Sequence, residues 1–485
     1  MQLSKPALIL DNGGHSIKAT FASPSTPSSS ADLPPFVSAS LSPSLLSLLA
    51  DHLSARPGSR VSVYRNAIIR SKTEKKTYVA DEWDACKDFG GLSFRVPMER
   101  GILNNWEIEK TVWDRVFGHK GRGLKVNPHN TPLVVTEPVL NLPNVQEHYD
   151  QIVFEEYEFD SYLRVPGKQQ LSQHRSLTFR LKQSAPGPAL LPFGLDARGG
   201  PNELAPECAL IVDAGFSFTH VVPVLRGAII SSGVRRRVSH PLEIDVGGKL
   251  LTNYLKELVS YRHWYMMDQT STMEHAKEEA CYVTTQWNED WEAANANNNH
   301  IVRTYVLPDF TPTSTNKLGY VRTGLTPPPP SPPPVDPAAP YKAQAPPQDE
   351  EQLLYLCNER FTVPEVLFNP STIDLNQAGL AETIAVSIAS LPAELQGMFW
   401  NNIVCVGGSV GFEGFGARLP TTATVRSMSA ALSSQQGQAF TLPPLAESFV
   451  SRQEYQEGGS NACRRKFGRF YWAGSKALEA ELAAG

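Results

Sequence analysis

Short apolar runs alternate along the chain with stretches in which apolar residues recur every three or four positions. The apolar runs predict strands at ALILDNG, TPLVVTEP, CALIVDAGFSFTHVVPV and NNIVCVGGS, the third of which folds back as a hairpin. The recurring pattern predicts amphipathic helices at NNWEIEKTVWDRVFG and VGGKLLTNYLKELVSY. Strands that alternate with helices favour an α/β fold.

Three stretches interrupt this pattern, and we expect each to be an insertion. Residues 22–60 begin with a Ser/Pro-rich segment, residues 166–206 are basic and then rich in Pro and Gly, and residues 323–350 contain a polyproline run. The polyproline run could dock an SH3-like or WW-like domain, although a solvated spacer is the simpler interpretation. Since 485 residues exceed one ordinary core, we expect at least two lobes.

Composition narrows the class of protein. A net charge of -5 gives no global attraction to nucleic acid, so any DNA contact would need a local basic patch. The six cysteines are scattered singly, which argues against a zinc site and favours a reducing compartment. No apolar run reaches the roughly 18 residues of a membrane span, and the N-terminus has no signal-type pattern. We therefore expect a soluble protein that is not secreted.

The first predicted strand ends in a turn that could hold a phosphate. Asp11 is followed by Gly13 and Gly14, and Lys18 comes shortly after. Glycines let backbone N–H groups approach a phosphate, an acid can hold a hydrated Mg²⁺, and a lysine can neutralise charge. The signal is weak alone, because Asp-Asn-Gly sequences are also common in plain hairpins.

The same arrangement recurs further along the chain. Asp213 follows another apolar run and precedes Gly215, and a third apolar run ends at Gly407 and Gly408. The first two turns could face each other across one phosphate chain, with Asp11 and Asp213 flanking a cation. This repetition favours a clamp made from two related half-domains.

The motifs together resemble the actin superfamily and, within it, the nuclear subfamily of actin-related protein 6. They occur in the family's order and are LDNGGHSIKATFA, RGILNNWEIEKTVW, TPLVVTEPVLNLP, YDQIVFEEYEF, DAGFSFTHVVPVLRG, DVGGKLLTNYLKELVSYR, KEEACYV, CNERFTVPEVLFNPS, NNIVCVGGSVGFEGF and SRQEYQEGG. The subfamily is indicated by FEEYEFDSYLRV, SFTHVVPV, GGKLLTNYLKELVSYRHWYMMDQT and YVLPDF. The resemblance implies the two-lobed actin-like ATPase fold with a central nucleotide cleft and loop insertions.

The subfamily resemblance also implies a function. It predicts a non-motor nuclear subunit, with some cytoplasmic protein, of an SWR-type chromatin remodelling complex that exchanges a core histone for its Z-type variant. The implied partners are a helicase-like remodelling ATPase, a zinc-HIT subunit, other subunits and, through the complex, the nucleosome. Membrane binding is not expected. Filament formation is not expected either, because the insertions would have to avoid every longitudinal filament contact.

The resemblance assigns a set of binding residues to ATP or ADP with Mg, although the cleft could also be empty. They are Asp11, Gly13, Gly14, His15, Lys18, Asp213, Gly215, Ser217, Lys277, Glu278, Gly408 and Ser409, with Asp11 and Asp213 holding hydrated Mg²⁺. In the second turn this chain departs from actin. Phe216 replaces an acid and Ser217 a glycine, which crowds the phosphate side and removes a charge.

The resemblance leaves hydrolysis open. Gln151 and His220 match residues that orient the attacking water in actin, whereas the departures at Phe216 and Ser217 oppose turnover. We predict slow or absent hydrolysis and a bound nucleotide that is mainly structural. The alternative is an active actin-fold ATPase or a sugar-kinase-like enzyme.

The predicted organisation of the chain follows the motifs. The ranges are 1–165 for the first lobe, 166–206 for an insertion, 207–322 for the second lobe, 323–350 for another insertion, 351–465 for the rest of the second lobe and 466–485 for a tail. The family's tryptophan-glycine-glycine element is missing from residues 420–450, and a similar string, FYWAGSKALEAEL, follows at 470–482. We therefore expect this chain to depart from the family on the adenine side of the cleft.

Two further groups of residues allow two interpretations each. Trp264 to Met267 could form a partner-binding patch, but core packing is the more common role of such residues. Arg235 to Arg237 could contact DNA or direct nuclear import, but a solvated edge is the more common role of such a run. Arg175, Arg180 and Lys182 are the better candidates for a basic surface that faces the nucleosome.

Overall fold

A computed structural model describes most of the chain outside the three predicted insertions. It covers residues 6–22, 62–166 except 88, 90 and 140, 208–235 except 226–227, 246–309 except 297–298, 316–322 except 317, 351–422 and 448–471. Most of each predicted insertion, at 23–60, 167–206 and 323–350, lies outside these ranges. The basic residues Arg175, Arg180 and Lys182 and residues 472–482 of the FYWAGSKALEAEL string also lie outside them. Within them, no helix has the length and apolar character needed to cross a lipid bilayer.

A six-stranded mixed sheet forms the centre of the first lobe, with the order β18-β10-β9-β1-β2-β3. β1 and β2 form an antiparallel hairpin, and β1 pairs in parallel with β9. The strands are β1 (Ala7–Asn12), β2 (Ser16–Ala22), β3 (Ser62–Arg65), β9 (Pro132–Glu137), β10 (Ser161–Pro166) and β18 (Val450–Ser451). The predicted strands at ALILDNG and TPLVVTEP are confirmed.

A four-stranded sheet with the order β13-β12-β11-β17 repeats this plan in the second lobe. β11 and β12 form an antiparallel hairpin, and β11 pairs in parallel with β17. The strands are β11 (Cys208–Ala214), β12 (Thr219–Leu225), β13 (Ala228–Ile229) and β17 (Ile403–Val406). The hairpin predicted at CALIVDAGFSFTHVVPV is therefore present.

The two lobes also contain three smaller sheets. The order β5-β4-β6 belongs to the first lobe, as does the pair β7-β8, and the order β15-β14-β16 belongs to the second. The strands are β4 (Ile68–Ser71), β5 (Lys76–Val79), β6 (Leu92–Arg95), β7 (Met98–Glu99), β8 (Ile102–Leu103), β14 (Arg303–Val306), β15 (Tyr320–Val321) and β16 (Leu353–Leu356).

Helices pack against both central sheets. They are α1 (Trp106–Phe117), α2 (Pro143–Gln151), α3 (Gly248–Arg262), α4 (Thr270–Ala280), α5 (Trp287–Asn295), α6 (Glu359–Glu365), α7 (Leu380–Ala389), α8 (Ala393–Asn401), α9 (Phe415–Thr422), α10 (Arg452–Gly458) and α11 (Ser460–Tyr471). The Asn105 side chain caps α1 by accepting a hydrogen bond from the Ile108 backbone at 3.1 Å. The helices predicted at NNWEIEKTVWDRVFG and VGGKLLTNYLKELVSY are α1 and α3.

Each lobe has its own apolar core. In the first, Trp113 on α1 and Val135 on β9 are fully buried in one cluster. In the second, Val212 on β11 and Leu255 on α3 are fully buried in another. Burial of this kind stabilises by about 25 cal/mol per Å² of apolar surface, so each lobe has its own source of folding energy.

The end of the described chain returns to the first lobe, which corrects the predicted division. The order of the motifs predicts that residues 351–465 belong to the second lobe and residues 466–485 to a tail, whereas β18 pairs with β10 of the first lobe. Phe467 on α11 is buried in the first core and lies 5.1 Å from the buried Arg164 guanidinium. The error is physical in origin, because local periodicity does not reveal which distant strand a segment pairs with.

Trp264 and Tyr265, which follow α3, do not pack in a core as the sequence analysis favours. Met266 is buried, but Trp264 is 53% exposed and Tyr265 is 72% exposed. Tyr261, at the end of α3, is 93% exposed. Core packing therefore accounts for Met266 but not for its two aromatic neighbours.

Candidate functional site

A cavity of about 450 Å³ lies between the two lobes, a size within the usual range for small-molecule sites. The first turn (residues 13–15) and the second turn (residues 215–218) both line it. Because each turn connects the two strands of a central hairpin, the cleft lies where the two related half-domains face each other. We call the part of the cavity that is lined by residues 13–15 and 215–218 the turn end.

The acid of the first turn is anchored by the neighbouring parallel strand. The Thr136 hydroxyl, on β9, donates to Asp11 Oδ1 at 2.8 Å and accepts from the Asn12 backbone N–H at 3.2 Å. The Asn12 amide donates to the Tyr149 hydroxyl at 2.8 Å. The position of Asp11 is therefore fixed by side chains from β9 and, through Asn12, from α2.

Lys18 stands opposite Asp11 in the hairpin register, with 3.9 Å between Nζ and Oδ2. Burial lowers the pKa of Lys18 because the charged form is desolvated, and Asp11 partly opposes this. A further anion beside this lysine would favour its charged form. The pair thus offers one carboxylate and one partly desolvated cation to a ligand in the cleft.

The second turn carries two aromatic residues, Phe216 and Phe218. The Gly215 backbone N–H donates to the Phe218 carbonyl at 3.1 Å, which closes the turn. Behind it, β17 ends at Val406, and the next residue, Gly407, has a φ of 103°, a conformation that favours glycine. A Cβ at Gly407 would lie 2.2 Å from the Ala214 carbonyl oxygen, so any other residue would displace the strand.

Lys277 on α4 reaches the cleft beside the start of α3. Its Nζ donates to the Gly248 carbonyl at 3.1 Å and to the Thr252 hydroxyl at 2.9 Å. Burial lowers the pKa of Lys277, whereas Glu274 and Glu278 raise it. Lys277 is therefore a positioned donor with acidic neighbours on its own helix.

The structure brings all of the predicted site residues to one cavity. Its lining includes Asp11, Gly13, Gly14, His15, Lys18, Asp213, Gly215, Ser217, Lys277, Glu278, Gly408 and Ser409. That they bind a nucleotide stays a prediction.

The proposed water-positioning pair is not brought together. His220 lines the cavity and is 3% exposed, with its ring 4.1 Å from that of Phe218. Gln151 is instead an exposed residue at the end of α2, outside the set of residues that line the cavity. Gln151 therefore does not lie beside the two turns, where the motif match predicts it.

Among the lining residues that the sequence did not indicate, three make contacts that shape the site. Thr136 holds Asp11, Phe218 covers Gly101, and Glu274 contacts His15. A signal existed for Glu274, because it lies three residues before Lys277 and so shares its face of α4. No local pattern indicated that Phe218 would reach the other lobe.

The side chains of the cleft fit a nucleotide with a hydrated divalent cation. The cleft offers two lysines for phosphates and two glycine-containing turns, and each turn follows an aspartate, Asp11 or Asp213, that could hold hydrated Mg²⁺. In the described ranges no three His, Cys, Asp or Glu side chains are close enough to ligate a metal together. The predicted contacts of the two acids run through water and do not require such a group.

Comparison with known proteins identifies the class. The actin family model matches residues 2–434, and the chain belongs to the actin family. Its mixed α/β architecture, with a hairpin and a parallel strand repeated in two lobes, is the actin-like fold.

Individual relatives narrow this further. Actin-like protein ARP6 of Cryptococcus neoformans is 41% identical over 431 residues, covering 84% of this chain and 80% of the relative. Actin-like protein ARP6 of Yarrowia lipolytica is 36% identical, covering 83% and 92%. Actin-related protein 6 of Drosophila melanogaster is 35% identical, covering 74% and 78%. The homologues thus place the chain among non-conventional actin-related proteins.

Proposed function

We propose that this protein is a non-motor, actin-related subunit of a nuclear complex that exchanges a core histone for its Z-type variant. In this proposal it scaffolds a helicase-like remodelling ATPase together with a zinc-HIT subunit and contributes to nucleosome engagement. It acts within the complex and not as a filament. The observation that carries the proposal is the similarity, over most of the chain, to proteins named actin-related protein 6 in fungi and fly.

An exposed aromatic surface supports a role in assembly. Tyr261, Trp264 and Tyr265 are all more than half exposed and lie within five residues of one another. Aromatic side chains are enriched at protein interfaces, where they supply large contact areas at low entropic cost. This surface is a candidate contact with another subunit.

The nucleotide, ATP or ADP with Mg, is proposed to brace the lobes. A ligand that binds only the folded state stabilises it by mass action and needs no turnover. Two features support slow or absent hydrolysis. Phe216 and Ser217 occupy the second turn, and Gln151 is exposed on α2.

The alternative is an active ATPase, which the buried His220 in the cleft favours. A phosphate-release assay on the purified chain with Mg·ATP separates the two. We expect release no faster than that of a variant in which His220 is replaced by Ala. Turnover that depends on His220 would establish the alternative.

The experiment that tests the main proposal is affinity purification of the tagged protein from nuclei of its own cells in moderate salt, followed by mass spectrometry. We expect a large helicase-like remodelling ATPase, a zinc-HIT protein and the Z-type histone. Conventional actin tagged in the same cells is the control for non-specific recovery. Recovery of the chain alone, or as a homopolymer, would exclude the scaffold function.

A further inference from the structure

One carboxylate of the second lobe is held by two side chains of the first. Arg65 ends β3, and its Nη2 lies 2.9 Å from Oε2 of Glu274 on α4. The His15 Nε2 lies 2.7 Å from the other oxygen, Oε1. Since an ionised carboxylate only accepts, Nε2 is the donor in this contact. The Arg65 Nη1 also lies against this same Nε2. Because a guanidinium has no acceptor and Nε2 donates to Glu274, this is a contact and not a second hydrogen bond, and both donors converge on the one carboxylate. The three side chains thus form one cluster.

The ion pair of the cluster, between Arg65 and Glu274, is largely shielded from solvent, while the His15 side chain is 29% exposed. The Arg65 side chain is 13% exposed and that of Glu274 is 9% exposed. Burial alone would raise the pKa of Glu274, but the hydrogen bond with His15 and the charges of His15, Arg65 and Lys277 hold it well below its usual range. A buried carboxylate stays ionised only where such partners replace its water. Glu274 is therefore an anion that depends on the other lobe.

Further contacts cross the cleft at the same place. The His15 ring lies 4.8 Å from that of Phe216 in the second turn. The Phe218 ring covers Gly101, where a Cβ would be 2.0 Å from it. The two lobes thus touch directly at the turn end, through aromatic contacts as well as through the ion cluster.

We propose that His15, Arg65 and Glu274 form a latch that holds the cleft closed without nucleotide. The carboxylate of Glu274 supplies, from within the chain, the negative charge that joins the two lobes, a role otherwise available to a bound phosphate. The latch goes beyond the proposed scaffold function and does not depend on which partners the protein has. It predicts that lobe closure is a property of the free chain.

The test uses the full-length protein and two measurements without nucleotide, small-angle scattering and amide hydrogen exchange in residues 13–15 and in α4. We expect the wild type to be as compact without nucleotide as with Mg·ADP. Glu274→Gln and Arg65→Gln are each expected to expand the particle and to speed exchange at least tenfold at these positions. Arg65→Lys, which keeps the charge, should restore most of the protection.

Arg322→Gln is the matched control, because it breaks an exposed ion pair with Glu351 inside the second lobe. It should leave both measurements unchanged. If the wild type is more expanded without nucleotide than with Mg·ADP, the latch is overturned and no variant is needed. The latch is also overturned if the Gln variants are folded and exchange their amide hydrogens as slowly as the wild type. If Mg·ADP does not bind at all, the nucleotide part of the proposed function fails while a compact, latch-dependent wild type still supports the latch.

Discussion

The two turns that face each other across the cleft have the same backbone plan and different side chains. In the first, Asp11 stands opposite Lys18 in the hairpin, and in the second Asp213 stands opposite His220. Each hairpin pairs in parallel with a strand from later in the chain, β9 or β17. The fold therefore repeats the position of the acid, while the residues around it are free to differ.

The surroundings of the two acids show this difference. A threonine, Thr136, adjoins the first acid, whereas Val406 is the parallel neighbour of Asp213. Below the first turn lies the buried carboxyl of Glu109, and beside the second lie the rings of Phe216 and Phe218. The first turn is thus supported by polar side chains and the second by apolar packing and close backbone contacts. The stability of the two turns should respond to different changes.

The largest effect is expected at Gly407, which supports the second turn. Gly407→Ala places a Cβ 2.2 Å from the Ala214 carbonyl oxygen at a φ of 103°. We expect a loss of about 3 kcal/mol in the free energy of unfolding, measured by urea denaturation without nucleotide.

The adjacent Gly408 is the matched control for this substitution. No heavy atom lies within 4 Å of a Cβ built there, so Gly408→Ala should change stability by less than about 0.5 kcal/mol. Equal losses at the two glycines would show that the second turn does not depend on this close backbone contact.

The sequence predicted those features of the two turns that depend on residues close together in the chain. The acids, the turns and the strands before them follow from apolar runs that end in Asp and Gly, and the structure places them as expected. What it did not predict depends on distant segments. The return of β18 to β10 and the reach of Glu274 to His15 link residues more than 250 positions apart. Local periodicity carries no information about such pairs, and it also cannot tell whether Trp264 faces a core or solvent.

The second prediction concerns the polar support of the first turn. Glu109 is fully buried near Asn12, Asn66 and Trp113, and burial raises its pKa from 4.5 to about 7. Between these two pH values, the folded state therefore keeps the proton of the Glu109 carboxyl, whereas the unfolded state has lost it. This contribution to stability is complete below about pH 4.5 and is lost as the pH rises through 7.

Glu109→Gln tests this dependence because the amide has the shape of the protonated acid and does not titrate. Between pH 5 and pH 7, the wild type should lose about 2 kcal/mol of stability relative to the variant, with a limiting slope of about 1.4 kcal/mol per pH unit. Urea denaturation across this range gives the difference, in which other titrating groups cancel. A constant difference between the two proteins would mean that Glu109 is ionised when folded, and the first turn would then rest on a buried charge.

The smallest effect is expected where the two turns differ by a single side chain. Thr136→Val removes the hydroxyl that donates to Asp11 and accepts from the Asn12 backbone, and it makes the first turn resemble the second at this position. We expect a loss of about 1 kcal/mol in urea denaturation, the usual net value of one hydrogen bond. Thr111→Val is the control, since its exposed hydroxyl donates only to a carbonyl within α1. If the two substitutions cost the same, Asp11 is positioned by the strand pairing itself, and the two acids are held in the same way despite their different neighbours.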